Sequence, residues 1–188
     1  LSEQQVTAAL VVLIDRRCGR GGRADSPRRQ QEQRKLAALD ITEMYDWKTR
    51  KFSVLDQPVV ETRLYHRATL LKNGDVLLTG GRENEGAPPR LTGEIYRPGI
   101  GFLPLASKMS LARAVHVSGL LQDGKVLLAG GSPLAPWCDL FDPGADPAQG
   151  VFFRTSDLPE LHNYTEGSAV GQGRVFLSGT GPAAIHRK

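Results

Sequence analysis

The chain has 188 residues, enough for one substantial core, with 40% apolar and 23% charged residues, the balance of an ordinary globular protein. Its formal charge of +4 is uneven: Arg16 to Lys35 holds eight basic residues against Asp25 and Glu32, a local +6 that leaves −2 for the remainder. That distribution excludes a chain that is basic throughout. Two cysteines, Cys18 and Cys138, exclude both a dense disulfide framework and a CxxC metal pair.

In chain order, the first apolar run is Val6–Ile14. It is far too short to span a bilayer as a helix, and no basic stretch precedes it as in a signal peptide. It reads instead as strand, followed by the pair Gly21-Gly22 and then an Arg/Gln-rich insertion. The alternative for the end of this region is a helix, since Gln30–Leu39 contains good helix formers. The insertion has high charge density and no apolar periodicity, which predicts a solvated segment outside the core.

From residue 41 onward the chain repeats. Arg63-Leu-Tyr-His66-Arg-Ala-Thr-Leu-Leu-Lys-Asn-Gly74-Asp-Val-Leu-Leu-Thr-Gly80-Gly81 recurs 50 positions later as Arg113-Ala-Val-His116-Val-Ser-Gly-Leu-Leu-Gln-Asp-Gly124-Lys-Val-Leu-Leu-Ala-Gly130-Gly131. A weaker third copy runs from Tyr164 through Gly173 to Gly179. Each copy reads as a β-hairpin closed by a two-residue turn, Asn73-Gly74 or Asp123-Gly124. The returning strands, Val76–Leu78 and Val126–Leu128, are apolar at consecutive positions, which predicts burial on both faces. A third strand follows at Glu43–Trp47, Glu94–Pro98 and Asp139–Pro143, carrying Tyr45, Tyr96 and Phe141. A fourth carries Phe52, Phe102 and Phe152, again 50 residues apart, each expected to pack between neighbouring units.

Four strands per unit, a run ending in Gly-Gly, an aromatic on the third strand and another on the fourth resemble the kelch repeat. The Arg-x-x-His, Asp/Asn-Gly, Val-Leu-Leu-x-Gly-Gly style is similar to bacterial kelch proteins and to the propeller of the galactose oxidase and glyoxal oxidase group. The resemblance is strong over residues 63–155 and weaker beyond. It departs from the pattern at the fourth strand, where kelch usually has Trp, and in the third copy, where Gly179-Thr180 replaces Gly-Gly. The resemblance implies an all-β, kelch-type β-propeller. Propellers close with about 4–8 blades, so two full blades plus parts of two others read as an incomplete fragment. Residues 1–40 then form a degenerate half-blade with its insertion, and 41–188 the blades proper.

No catalytic, cofactor-binding or metal-binding residue stands out. His66 and His116 repeat, and so do Arg63 and Arg113; a residue that recurs in every blade serves the framework, whereas a catalytic site combines different residues. The same holds for Gly80-Gly81 and Gly130-Gly131, which lack the following Lys-Ser/Thr of a phosphate loop, and for Tyr96, Phe102, Phe141 and Phe152. The Arg cluster has no interleaved aromatic for base stacking, so a nucleic-acid partner is not expected. Asn163-Tyr164-Thr165 is a glycosylation sequon. No subset of the His, Tyr and Cys residues matches the copper motifs of the oxidase group, so no cofactor is expected. The expected function is a binding module whose loops engage a protein or glycan partner. The alternative implied by the resemblance is part of a copper-radical oxidase whose ligands lie outside this chain.

Overall fold

A computed structural model of the chain describes residues 8–14, 38–46, 48–132, 134–160, 164–170 and 174–180. Cys18, Gly21-Gly22, nearly all of the Arg/Gln-rich insertion and Asn163 lie outside the described residues.

Among the described residues the strands fall into four antiparallel sheets, each a meander in sequence order. The first contains β1 (Ala8–Ile14), β2 (Ala38–Asp46) and β3 (Lys51–Val54). The second contains β4 (Arg67–Leu70), β5 (Val76–Thr79), β6 (Gly93–Arg97) and β7 (Gly101–Pro104). The third repeats it with β8 (Val117–Leu120), β9 (Val126–Ala129), β10 (Asp139–Asp142) and β11 (Val151–Arg154), and the fourth pairs β12 (Tyr164–Val170) with β13 (Arg174–Thr180). Register repeats with the sequence: Leu70 faces Val76 as Leu120 faces Val126, and Tyr96 faces Phe102 as Phe141 faces Phe152.

The hairpin turns differ from the two-residue expectation. Leu71 closes each side of the first loop, donating its N–H to the Asp75 carbonyl at 2.8 Å and accepting the Gly74 N–H at 3.1 Å. Leu121 does the same with Lys125 and Gly124. Only the glycines have positive φ, +91° at Gly74 and +97° at Gly124, while Asn73 and Asp123 do not. This is a three-residue loop, a type I turn followed by a left-handed glycine. The Asn-Gly and Asp-Gly pairs serve both turn types, because both place glycine where a Cβ would clash.

Stacking of sheet on sheet makes the core, as the apolar runs require. Val76 and Leu78 point into the seam with the first sheet, joining Tyr96, Met44, Leu55 and Phe102. Leu77, between them, points the other way, packing with Ile95, Leu105 and Met109 against Val126, Leu128 and Phe141 of the third sheet. All four residues of β5 are therefore buried. Each such aliphatic side chain contributes roughly 1.5–3 kcal/mol of burial free energy. Along the inner strands β4 and β8 the link is polar. Arg67 donates to the His116 carbonyl, Thr69 bonds Ser118, and Lys72 donates to the Gln122 carbonyl.

The fourth-strand phenylalanines occupy equivalent places, each against its third-strand aromatic. The pairs Tyr45–Phe52, Tyr96–Phe102 and Phe141–Phe152 have centroid separations of 4.9, 5.0 and 4.9 Å and tilts of 47°, 47° and 48°. Their burial is not equivalent. Phe102 and Phe152 are half-buried, and Phe52 is 60% exposed. The sheet edge is the reason: a fourth-strand residue has a neighbour on one side only, and the face bearing Phe52 has no described sheet against it.

Candidate functional site

The repeated Arg-x-x-His segment precedes the inner strand and meets the end of the second strand. Arg63 is buried and donates in four directions. Its Nε reaches Glu94 Oε1 at 2.7 Å, Nη1 reaches the carbonyls of Gly80 at 2.7 Å and Thr92 at 3.0 Å, and Nη2 reaches Glu61 Oε2 at 2.9 Å. Arg113 repeats this, with Nη1 on the Gly130 carbonyl at 2.9 Å and Nη2 on Asp139 Oδ2 at 2.7 Å. Glu94 and Asp139 hold matching places near the start of the third strand, facing Leu78 and Leu128, and each also accepts a backbone N–H, from Val60 at 2.8 Å and Ser110 at 3.0 Å. Aspartate is one methylene shorter than glutamate. It meets Nη2 only, and Arg113 Nε is left buried with no hydrogen-bond partner.

The double glycines sit where these segments cross. A Cβ on Gly81 would lie 2.7 Å from the Leu64 carbonyl oxygen, and one on Gly131 2.5 Å from that of Ala114. Neither position has room for a side chain.

The two histidines diverge. His66 is half-buried, and its Nδ1–H donates to the Arg63 carbonyl at 2.9 Å. Burial, with Arg63 and Arg67 nearby, pushes its pKa down to about 4. His116 is fully buried and bonds across the seam, its Nε2 lying 2.9 Å from Thr79 Oγ1 of the preceding sheet, while Nδ1 has no partner. Burial first, then Arg113, Arg67 and His66, hold its pKa well below the usual imidazole value. His66 is thus satisfied within its own repeat unit, and His116 by the neighbouring one.

Between Arg and His the backbone turns left-handed at a non-glycine residue in both copies, φ +58° at Tyr65 and +56° at Val115. The Val115 N–H donates to the Tyr65 carbonyl at 2.9 Å, so the two turns are joined across the seam. Neither tyrosine nor valine signals such a turn in sequence. The acidic partners Glu94 and Asp139 were open to detection, since an acid begins the third-strand segment in every copy.

The same end of the sheets carries the long connections. The loop after Gly81 runs 15 residues to Tyr96, and that after Gly131 runs 10 to Phe141. The first is tied by Tyr65 Oη donating to Glu85 Oε1 at 3.3 Å and by Arg90 lying 3.4 Å from Glu61 and 3.9 Å from Glu83. Arg82 Nε is buried there with no partner. The second loop presents Leu134 to solvent and stacks Trp137 under the Arg154 guanidinium at 4.3 Å. At the opposite end, a cleft of about 210 Å³ lies between the Lys72–Gly74 turn and the Pro143–Pro147 connection. Arg97 fastens nearby elements there, reaching Asp75 at 2.8 Å and Asp146 at 2.6 Å.

Among the described residues, no group of three or more His, Cys, Asp or Glu is placed to hold a metal ion. His66 and His116 are engaged as described, and Cys138 Sγ is 3.8 Å from the Pro136 carbonyl with its pKa raised by burial. These donors do not make a copper set. No helix among the described residues is long and apolar enough to cross a membrane.

No family model and no curated protein matches the chain. Among solved structures it is similar to a novel fungal alcohol oxidase with catalytic diversity among the AA5 family, in complex with copper, with a TM-score of 0.58 at 18% identity. The match covers 76% of this chain and 33% of that one, so this chain spans about a third of that oxidase's length. At such identity the likeness speaks to architecture alone: stacked four-stranded antiparallel sheets, joined in sequence order, give this chain an all-β, propeller-type fold.

Proposed function

We propose that this chain is a kelch-type β-propeller binding module, in which the repeated Arg, His and Gly-Gly positions are framework and the loops beside them meet a protein or glycan partner. The observation that carries this reading is the contrast between matched framework and unmatched loops. Arg63–Glu94 and Arg113–Asp139 recur at 2.7 Å in each blade, while the connections after Gly81 and Gly131 differ in length and composition. A constant scaffold with differing loops is where binding specificity usually resides. Trp137 and Tyr65 supply aromatic surface of the kind that stacks on sugars or anchors proteins. The test is a glycan array and a panel of immobilised proteins, probed with the wild-type chain and with Trp137→Ala and Tyr65→Ala. Retention of a discrete ligand set, lost in at least one variant with the thermal midpoint unchanged, is expected. Absence of any retained ligand, or retention indifferent to both variants, sinks the proposal.

The second reading, part of a copper oxidase completed by residues outside this chain, draws on the copper-bound AA5 structure above. Metal analysis after copper loading, with an assay for hydrogen peroxide from alcohols, separates the two. One tightly held copper per chain with peroxide production favours the oxidase.

A further inference from the structure

We propose that Arg82, at the root of the loop after Gly81, binds the carboxylate of an acidic sugar, a reading that rests on the binding-module function above and names its ligand chemistry. Repetition separates this arginine from the others at that end of the sheets. Arg63 and Arg113 recur 50 positions apart, and each is buried against an acid at 2.7 Å, so both are framework. Arg82 has no counterpart, because the residue after Gly131 is Ser132. Its neighbours are engaged: Arg90 lies 3.4 Å from Glu61 and 3.9 Å from Glu83, and Arg67 donates to the His116 carbonyl. Arg82 makes no ion pair among the described residues. It is half-buried, and its Nε is buried with no hydrogen-bond partner. A guanidinium taken partly out of water with a donor unmet carries a desolvation cost that a bound anion offsets.

The backbone fixes this position without a ligand. Arg82 donates its N–H to the Leu64 carbonyl at 2.9 Å and accepts the Leu64 N–H at 2.7 Å, and the adjacent Gly81 carbonyl accepts the Arg90 N–H at 2.8 Å. The nearby acids are committed elsewhere. Glu61 meets Arg63 at 2.9 Å and the Thr92 hydroxyl at 2.6 Å, and Glu85 accepts from Tyr65 Oη at 3.3 Å. An unpaired guanidinium offers parallel N–H donors, the geometry that a carboxylate accepts with both oxygens. Glu83 and Glu85 stand exposed on the same loop. They repel a chain bearing many anionic groups and favour a ligand with one carboxylate. The Tyr65 ring, tied to Glu85 of that loop, adds aromatic surface on which a sugar ring stacks.

Immobilised oligosaccharides test this on the whole chain. The probes end in glucuronate, mannuronate or N-acetylneuraminate, each beside its own methyl ester. The wild type is expected to hold at least one acid form about tenfold more tightly than its ester, with the difference shrinking as salt rises. Arg82→Met keeps the aliphatic stem and removes the charge. It should lose about 10- to 100-fold on the acid form, leave the ester unaffected, and keep or raise the thermal midpoint. Lys51→Gln, which removes an exposed cation at the start of β3, should bind as wild type. An acid form held equally by Arg82→Met, or a lowered midpoint in that variant, overturns the role of Arg82. Retention of neutral glycans or proteins with every acid form ignored overturns this inference and leaves the binding module standing. Tighter retention of a peptide through its C-terminal carboxylate overturns the sugar assignment. A wild type that retains nothing overturns both readings together.

Discussion

Val115 is a β-branched residue at φ +56°, a conformation that costs roughly 1–2 kcal/mol for residues with a Cβ. Its N–H bond to Tyr65 and the fixed ends of the Arg-x-x-His segment hold it there. Val115→Gly should therefore raise stability to urea by about 1 kcal/mol, while Val115→Ala, which keeps the Cβ, should not. Equal effects from both would show that the turn is unstrained. Two residues before it, Arg113 pairs with Asp139, and both side chains are fully buried. Arg113→Met leaves a carboxylate alone in the core and should cost about 3–5 kcal/mol, and pairing it with Asp139→Leu should recover most of that loss. A double variant no better than the single one would place the cost in packing rather than charge. At this scale the sequence marked the arginines by repetition alone. The acids Glu94 and Asp139 repeat in the sequence too, but their pairing with the arginines and the left-handed turns appear only when the segments cross in space.

Across the elements, the aromatic pairs repeat in geometry and differ in environment. Phe141 is fully buried in the seam with Leu77 and Val126. Phe141→Ala should cost about 3–5 kcal/mol by chemical denaturation, and Phe52→Ala, on the exposed face, less than about 1 kcal/mol. A similar cost at both would mean that Phe52 is covered in solution. The strands themselves were readable in advance. Val-Leu-Leu between a turn glycine and Gly-Gly specifies a short strand buried on both faces, and β5 is one. The turn type was not readable, because Asn-Gly fits a two-residue or a three-residue loop and the closing pair, Leu71 with Asp75, selects between them.

At the scale of the whole molecule, His66 and His116 bind protons less readily folded than unfolded. The His66 pKa falls to about 4 and that of His116 well below its usual value, both through burial first. The groups facing His116 are Arg113, Arg67 and His66, and its hydrogen-bond partner is the neutral Thr79, so none of them favours a charged imidazole. Since the unfolded chain takes up these protons first, stability is complete above the ordinary histidine pKa of about 6.5 and is lost as pH falls below it. The His66 share is lost between about 6.5 and 4, on the order of 3 kcal/mol, and the His116 share declines across the same range and beyond. Urea titrations at pH 7 and near 4.5 should show this fall, and a His66→Gln, His116→Gln chain should lose most of it. An unchanged slope in that variant would assign the acid sensitivity to carboxylates instead.

What the sequence determined by itself was the unit: its strand count, its turn glycines and the 50-residue register of Arg63 with Arg113 and Phe102 with Phe152. Those are local matters of periodicity and backbone freedom, which need no partner to be read. Tertiary structure decided which copies of a residue are equivalent in environment. His66 bonds its own turn and His116 the neighbouring sheet; Phe141 is enclosed and Phe52 is bare. A repeat in sequence fixes the same conformation at each copy. Burial and hydrogen bonding depend on what stands next to each copy, and that differs from one copy to the next.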